Sequence, residues 1–235
     1  RRLPDDGMFA HMRERVRVLT AASPADAVRY YEQNRMPTAP MQARAWRYGQ
    51  ALAQMRAGRI PAATDAVTAL HNEAPEFLPY RVAQVELALV AGQPAMAGSL
   101  ARDDLKLFSG NNALQVLLGE ADLRTGHPDE ARALLADQVH RPQPAPPVLE
   151  LLARAAEQRG DKIEAYQMRA EYHVQNGRIE MALEQLRQAS KLQPIAFAQL
   201  ATIEARMRQL QDDLEFQRQY FGGALAVVDP SPGRH

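Results

Sequence analysis

The sequence predicts an all-α protein in which antiparallel helical hairpins stack side by side. One glycine recurs every 34 residues through the middle of the chain, and an alanine follows each of these glycines five residues later. The glycines are Gly58, Gly92, Gly126 and Gly160, and the alanines are Ala63, Ala97, Ala131 and Ala165. The composition agrees with this pattern, because an alanine-rich chain with only 6% aromatic residues and no β-branched runs favours helix over strand.

Each member of the pattern has a packing role. A glycine ends the first helix of a hairpin in a left-handed conformation that side chains disfavour, and the alanine lets the second helix approach closely. A hairpin of this length with these small residues is typical of the tetratricopeptide (TPR) repeat. The chain is therefore predicted to be a TPR-type α-solenoid, superhelical and closed by a C-terminal capping helix.

The first part of the chain, residues 1–35, is predicted to be a degenerate leading hairpin. A helix from Asp5 to Thr20 carries apolar residues at helical spacing. These residues are Met8, Phe9, Met12, Val16 and Leu19. Ser23 followed by Pro24 is typical of a helix start, and the second helix is expected to end near Asn34.

Residues 43–221 are predicted to form the regular array, with four to five repeats and the capping helix. The period changes near its end, because Gly177 lies 17 residues after Gly160. The helix from Lys162 to Gln175 is therefore expected to serve both as the second helix of repeat four and as the first helix of repeat five. The capping helix is expected over 195–220, and residues 222–235 are predicted to be disordered.

The segment 141–147 has four prolines in seven residues and is predicted to be a stiff, exposed, non-helical connection. The alternative is that it serves as a proline-rich ligand for a small adaptor domain.

Composition narrows the class of function. The 28 basic and 28 acidic residues balance, which argues against binding to nucleic acid or an anionic membrane. No apolar run reaches the length of a bilayer span, so we expect no membrane span. The chain has no cysteine, which excludes disulfides, thiolate catalysis and cysteine-based zinc sites. Because the sequence does not begin with methionine, we expect it to be a fragment of a longer protein.

The chain is predicted to have no catalytic or metal site of its own. No two of the six histidines are four residues apart, which excludes the H-E-x-x-H zinc motif, and the phosphate-binding and serine-nucleophile motifs are absent. His173 is expected to be a hydrogen-bonded histidine between helices. An enzyme that uses carboxylates alone is the remaining catalytic alternative.

The first helices of the repeats are predicted to line a concave, protein-binding groove. The candidate residues are Tyr48, Leu52, Met55, Arg56, Val82, Glu86, Leu89, Glu120, Arg124, Glu150, Arg154, Glu157 and Glu171, with Val116 and Leu123 in register. Their mixture of apolar, acidic and arginine side chains suits an extended or partly unfolded polypeptide. The alternative for each residue is ordinary helix surface or core between repeats. The lysine–asparagine clamp that some TPR proteins use to bind a terminal carboxylate is missing.

Two stretches resemble a particular family. They are residues 3–19, which continue into Asp26-Ala27-Val28-Arg29-Tyr30-Tyr31, and residues 177–186, which are followed by Ile203-Glu204-Ala205-Arg206-Met207. Both are similar to the C-terminal repeat domain of bacterial periplasmic zinc metalloproteases of the β-barrel assembly-enhancing type.

The resemblance implies a signal peptide and a zinc-binding peptidase domain upstream, so zinc is expected there and no cofactor is expected in this chain. It implies a periplasmic location, although the sequence itself is compatible with the cytoplasm. The implied partners are the chain's own peptidase domain, the outer-membrane barrel assembly machinery and its client proteins. The alternative is a stand-alone TPR scaffold with no linked protease.

Overall fold

The computed structural model describes residues 6–139 and 143–225, with side chains described for 7–139 and 143–220. Within these residues the chain forms twelve α-helices and no strand. The helices are α1 (Asp6–Thr20), α2 (Pro24–Gln33), α3 (Pro40–Arg56), α4 (Ile60–Glu73), α5 (Leu78–Val90), α6 (Pro94–Leu107), α7 (Asn112–Arg124), α8 (Pro128–Val139), α9 (Pro146–Gln158), α10 (Lys162–Gln175), α11 (Ile179–Ser190) and α12 (Phe197–Leu225). The prediction of an all-α repeat protein is confirmed.

The small residues of the repeat occupy the predicted positions. Left-handed backbone occurs at all five predicted glycines, with φ between 70° and 80°. These glycines are Gly58, Gly92, Gly126, Gly160 and Gly177. The alanine five residues after each glycine is no more than 1% exposed. The glycines of the repeat pattern therefore mark the turns between helices, and the alanines mark buried positions where helices pack closely. A sixth left-handed glycine, Gly110, ends the turn after α6 and was not predicted.

The helices divide into two compact units, Arg1–Thr125 and Gly126–His235. The division falls between α7 and α8 and not at the proline-rich segment. That residues 43–221 form one array stays a prediction.

In the first unit, successive helices from α3 to α7 pack on each other, as expected of stacked hairpins. The leading helices depart from this scheme, because α1 packs mainly on α3 and only slightly on α2. The prediction that residues 1–35 form a hairpin is corrected accordingly. Ser23 caps α2 as predicted, and its hydroxyl accepts a hydrogen bond from the Asp26 amide at 3.1 Å. An aromatic cluster that includes Tyr31 and Trp46 joins α2 to α3.

In the second unit, each helix packs on the next one along the chain. Helix α10 has the predicted bounds and packs about equally on α9 and α11, which confirms that it belongs to two successive hairpins. Ile203 and Leu210 of α12 are buried in one cluster with apolar residues of α10 and α11, and α12 packs on α11, so α12 covers the last hairpin.

Two predictions about segments outside the hairpins are corrected. Pro146 and Pro147 open α9, because proline is compatible with the first turn of a helix, where its missing amide hydrogen has no intrahelical partner. Helix α12 continues to Leu225, four residues into the segment that was expected to be disordered. Residues 226–235 of that segment, and residues 141 and 142 of the proline-rich connection, lie outside the described residues.

Candidate protein-interaction surface

Helix α1 lies across the first helices of repeats one and two, and its polar side chains hold it there. His11 Nε2 and the Tyr80 hydroxyl on α5 are 2.9 Å apart. Arg15 donates to the Tyr48 hydroxyl on α3 at 2.8 Å and forms an ion pair with Glu86 on α5. Part of the predicted groove on α3 and α5 is therefore covered by a helix of the same chain.

The buried carboxylate of Glu14 also holds α1 in place, through a contact with α2. Glu14 is 2% exposed and accepts a hydrogen bond of 3.0 Å from the Tyr31 hydroxyl on α2. Arg17, one turn further along α1, forms an ion pair with the same carboxylate. Beneath this cluster lies Gly49 on α3, whose missing side chain leaves the room that Tyr31 and Glu14 occupy.

Two groove-lining arginines bind the ends of helices. Arg56 on α3 donates to the carbonyl oxygens of Val18 and Ala21, just at and beyond the C-terminus of α1. Arg124 on α7 donates to the Leu89 carbonyl at the end of α5, at 2.9 Å. The last carbonyls of a helix lack intrahelical donors and carry a partial negative charge, so an arginine stabilises them. The sequence pattern had assigned both arginines to partner binding.

The remaining opening between α1, α3 and α5 is a cleft of about 260 Å³. Its walls are mostly apolar, with an arginine and an ion pair at the edge. The lining residues are Arg15, Val18, Leu19, Leu52, Met55, Arg56, Glu86 and Val90. The structure therefore brings four of the predicted groove residues together around one opening.

The other predicted groove residues of the first unit have roles within the chain. Tyr48, Val82 and Leu89 are buried, so their side chains contribute to the core and not to the surface of a groove. Glu120 forms an ion pair with Arg124 one turn later on α7. Leu123 is buried and Val116 half-buried.

In the second unit, the predicted residues are spread over α9 and α10. Glu157 forms an ion pair with Arg169 on α10. Glu171 accepts two hydrogen bonds from the Arg206 guanidinium on α12, at 2.8 and 2.7 Å. Glu150 is exposed and Arg154 is half-buried. That these residues bind a partner stays a prediction.

Sequence reasoning missed the contribution of α1, whose His11, Glu14, Arg15 and Leu19 surround the cleft or hold its wall in place. A signal was present, because His11, Glu14, Arg15 and Val18 recur at the three- and four-residue spacing of one helix face. What the sequence did not reveal is that this polar face is the one turned inward.

The three tyrosines around α1 predict a loss of stability at alkaline pH. Burial raises the pKa of Tyr31, Tyr48 and Tyr80, and that of Tyr48 reaches about 12. An unfolded tyrosine has a pKa near 10, so the folded state keeps protons that the unfolded state releases. The stability contribution is complete below roughly pH 10 and is lost as the pH rises towards the folded value. We expect the urea midpoint, followed by helical circular dichroism, to fall above about pH 10.

The matched control for this titration is Tyr48→Phe, which should flatten part of the pH dependence. A midpoint that stays constant up to about pH 11 would contradict the assignment of the tyrosines as buried, protonated anchors.

The histidines and carboxylates of the described residues were also compared with the requirements of a metal site. Among the described residues, no group of three or more histidine, aspartate or glutamate side chains is placed to hold a metal ion. His173 differs from the prediction of a hydrogen-bonded histidine, because its Nδ1 atom is buried and has no partner within the described part of the chain. Burial, and the nearby Arg178, lower the pKa of this imidazole. None of the described helices combines the length and hydropathy that a bilayer crossing requires.

Comparison with known proteins gives a structural likeness only. No family model and no curated protein matches the chain. Among solved structures it is similar to the crystal structure of TTC0263, a thermophilic TPR protein in Thermus thermophilus. The two are 17% identical, with a TM-score of 0.47 over 87% of this chain and 98% of that one. The fold assignment rests on the hairpins themselves, through their bounds, left-handed glycines and buried alanines.

Proposed function

We propose that this chain is a protein-binding helical-repeat module, and that its first unit contacts the partner through the cleft between α1, α3 and α5. The observation that carries the proposal is the size and lining of this cleft. At about 260 Å³ it is smaller than the roughly 300–1,000 Å³ typical of small-molecule sites. A mostly apolar opening of this size accommodates one or two side chains of another protein, which is how interface anchors are bound.

We further propose that the module belongs to a periplasmic zinc metalloprotease and docks it onto the outer-membrane barrel assembly machinery or its clients. Support comes from the resemblance of residues 3–19 and 177–186 to the repeat domain of such proteases. In this arrangement the peptidase domain supplies the zinc and the catalysis, and the module selects where proteolysis happens.

An immunoblot of the source cells with antibody against this chain tests the protease context. We expect a band much heavier than 26.1 kDa, found in the periplasmic fraction. We also expect the captured protein to contain zinc. A metal-free band at the size of this chain would replace the protease context with the stand-alone scaffold.

Photo-crosslinking in living cells tests the binding surface. A crosslinking amino acid at Leu19 or Val90, both exposed beside the cleft, should capture a barrel-assembly or outer-membrane protein identified by mass spectrometry. The matched control is Leu107 on α6, which is equally exposed but does not line the cleft. Equal capture at all three positions, or capture of cytoplasmic proteins alone, would contradict the proposal.

A further inference from the structure

His11 is a buried imidazole at the contact between α1 and α5. Its side chain lies against the rings of Tyr48, Phe77 and Tyr80, whose centroids are 5.3, 4.7 and 5.3 Å from its own. Both ring nitrogens have partners. Nδ1 is 2.6 Å from the Gly7 carbonyl oxygen, and Nε2 is 2.9 Å from the Tyr80 hydroxyl. The histidine therefore connects the first turns of α1 to α5.

In its neutral form, this ring and the Tyr80 hydroxyl satisfy each other's hydrogen bonds. A carbonyl oxygen only accepts hydrogen bonds, so Nδ1 of His11 carries the hydrogen and donates it to Gly7. In the neutral imidazole Nε2 is then an acceptor, and the Tyr80 hydroxyl donates to it.

A proton added at Nε2 would disrupt this arrangement. Nε2 would become a donor, so the Tyr80 hydroxyl would have to turn and direct its own hydrogen elsewhere. Tyr80 is 2% exposed, and the described residues offer its hydroxyl no partner other than His11. A buried hydroxyl that loses its acceptor and a buried ring that gains a charge both disfavour the folded state.

The helices around the ring are rich in arginine. Together α1, α3 and α5 carry seven arginines and three carboxylates, which are Asp6, Glu14 and Glu86. Glu14 is paired with Arg17, and Glu86 with Arg15, which also donates to the Tyr48 hydroxyl. The carboxylates next to Tyr80 and Phe77 are likewise paired, Glu73 with Arg44 and Arg47, and Glu76 with Arg81. Arginines near the ring further disfavour its positively charged form.

Helix α1 loses little buried apolar surface of its own when it leaves its neighbours. The apolar residues on its buried face are Ala10 and Val18, and the others there are His11 and Glu14. It packs mainly on α3, and residues 21–23 connect it to α2. Segments with few buried apolar contacts open first in a folded protein. Helix α1 is therefore able to leave while the hairpins of α3 to α6 stay folded.

We propose that His11 is a pH-sensitive switch whose protonation in mild acid releases α1 from α3 and α5. Release exposes the groove positions that α1 covers at neutral pH, and it removes the α1 wall of the cleft. The switch itself needs no partner, whereas its effect on partner binding rests on the proposed protein-binding function.

Hydrogen–deuterium exchange of the purified full chain at about pH 7.5 and about pH 5.5 tests the inference. The measured quantity is the protection factor of each helix, which is corrected for the intrinsic exchange rate at each pH. The open state binds a proton that the closed state excludes, so the closed state loses stability as the pH falls.

The expected size of the effect follows from the titration of one histidine. A free histidine titrates near pH 6.5, so an open state with one such group gains about tenfold in population over this range. We expect the protection factor of α1 to fall by about tenfold, and that of α6, in the same unit, to stay within about twofold.

Histidine variants assign the response. His11→Gln should remove it, because glutamine stays neutral over this range. Tyr80→Phe should reduce it, because no hydroxyl hydrogen then loses its acceptor. The matched control is His71→Gln on α4, a histidine of the same unit whose Nδ1 atom is also buried. In this control α1 should respond as it does in the unmodified chain, and circular dichroism confirms that each variant is folded.

Three outcomes would overturn the switch. They are an unchanged protection factor of α1, a response that persists in His11→Gln, and an equal loss of protection in α1 and α6, which would indicate unfolding of the whole unit. Crosslinking at Val90 separates the switch from the proposed function. Release of α1 without capture at Val90 at either pH would leave the switch and overturn the cleft as the binding site. Capture at neutral pH without release of α1 in acid would leave the cleft and overturn the switch.

Discussion

The variant Gly49→Ala is expected to lower the free energy of unfolding of the first unit by about 1–3 kcal/mol. Intrinsic helix propensity predicts the opposite sign, because alanine is favoured over glycine within a helix by about 1 kcal/mol. Packing around Gly49 reverses the sign of this expected change in the free energy of unfolding. A Cβ atom at Gly49 would lie 2.7 Å from Tyr31 Cζ and 2.9 Å from Glu14 Cβ. The second contact involves an atom next to the α1 backbone, so α1 itself must move.

The measurement is the urea unfolding midpoint followed by circular dichroism, with Gly98→Ala as the matched control. Gly98 is also a buried glycine within a helix, but the nearest atoms to its added Cβ are the end of the Arg102 side chain at 3.3 Å and Ala121 Cβ at 3.6 Å. Because the closer contact is 3.3 Å and a shift of a few tenths of an ångström at the end of the Arg102 side chain relieves it, Gly98→Ala should be neutral or stabilising. If Gly49→Ala also raised the midpoint, α1 would not be seated against α3 as described.

A second large effect is expected at the helix crossings. Ala63→Leu should reduce the free energy of unfolding by about 1–3 kcal/mol, because Ala63 is completely buried and an added isobutyl group forces neighbouring helices apart. Ala62, the neighbour of Ala63, is exposed on α4, so Ala62→Leu should change the free energy of unfolding by no more than about 0.5 kcal/mol. Both variants have the same composition and nearly the same helix propensity. Equal unfolding midpoints would show that the repeated alanine is not a packing position.

These variants test different levels of the structure. The Ala63 experiment tests the repeat, which was predicted from a glycine and an alanine at fixed spacing. The Gly49 experiment tests the seating of α1, which no spacing in the sequence predicted. The result at Ala63 can therefore be expected from the sequence pattern, whereas the result at Gly49 can be expected only from the three-dimensional arrangement.

The candidate site was predicted in part. The sequence identified the first helices of the repeats as the lining, and Leu52, Met55, Arg56 and Glu86 do surround the cleft. It did not foresee that Arg56 binds the end of α1, because its partners are backbone carbonyls more than thirty residues away.

By itself, the sequence determined the helical hairpins of this protein. Left-handed glycines and close-packed alanines satisfy local requirements of backbone and volume, so their spacing alone indicates where helices end and where they cross. The orientation of α1 was decided by tertiary structure alone. Periodicity shows that a helix has an apolar and a polar face, but which face turns inward depends on the groups that meet it. Here those groups lie far along the chain, with His11 and Tyr80 separated by 69 residues and Arg15 and Glu86 by 71.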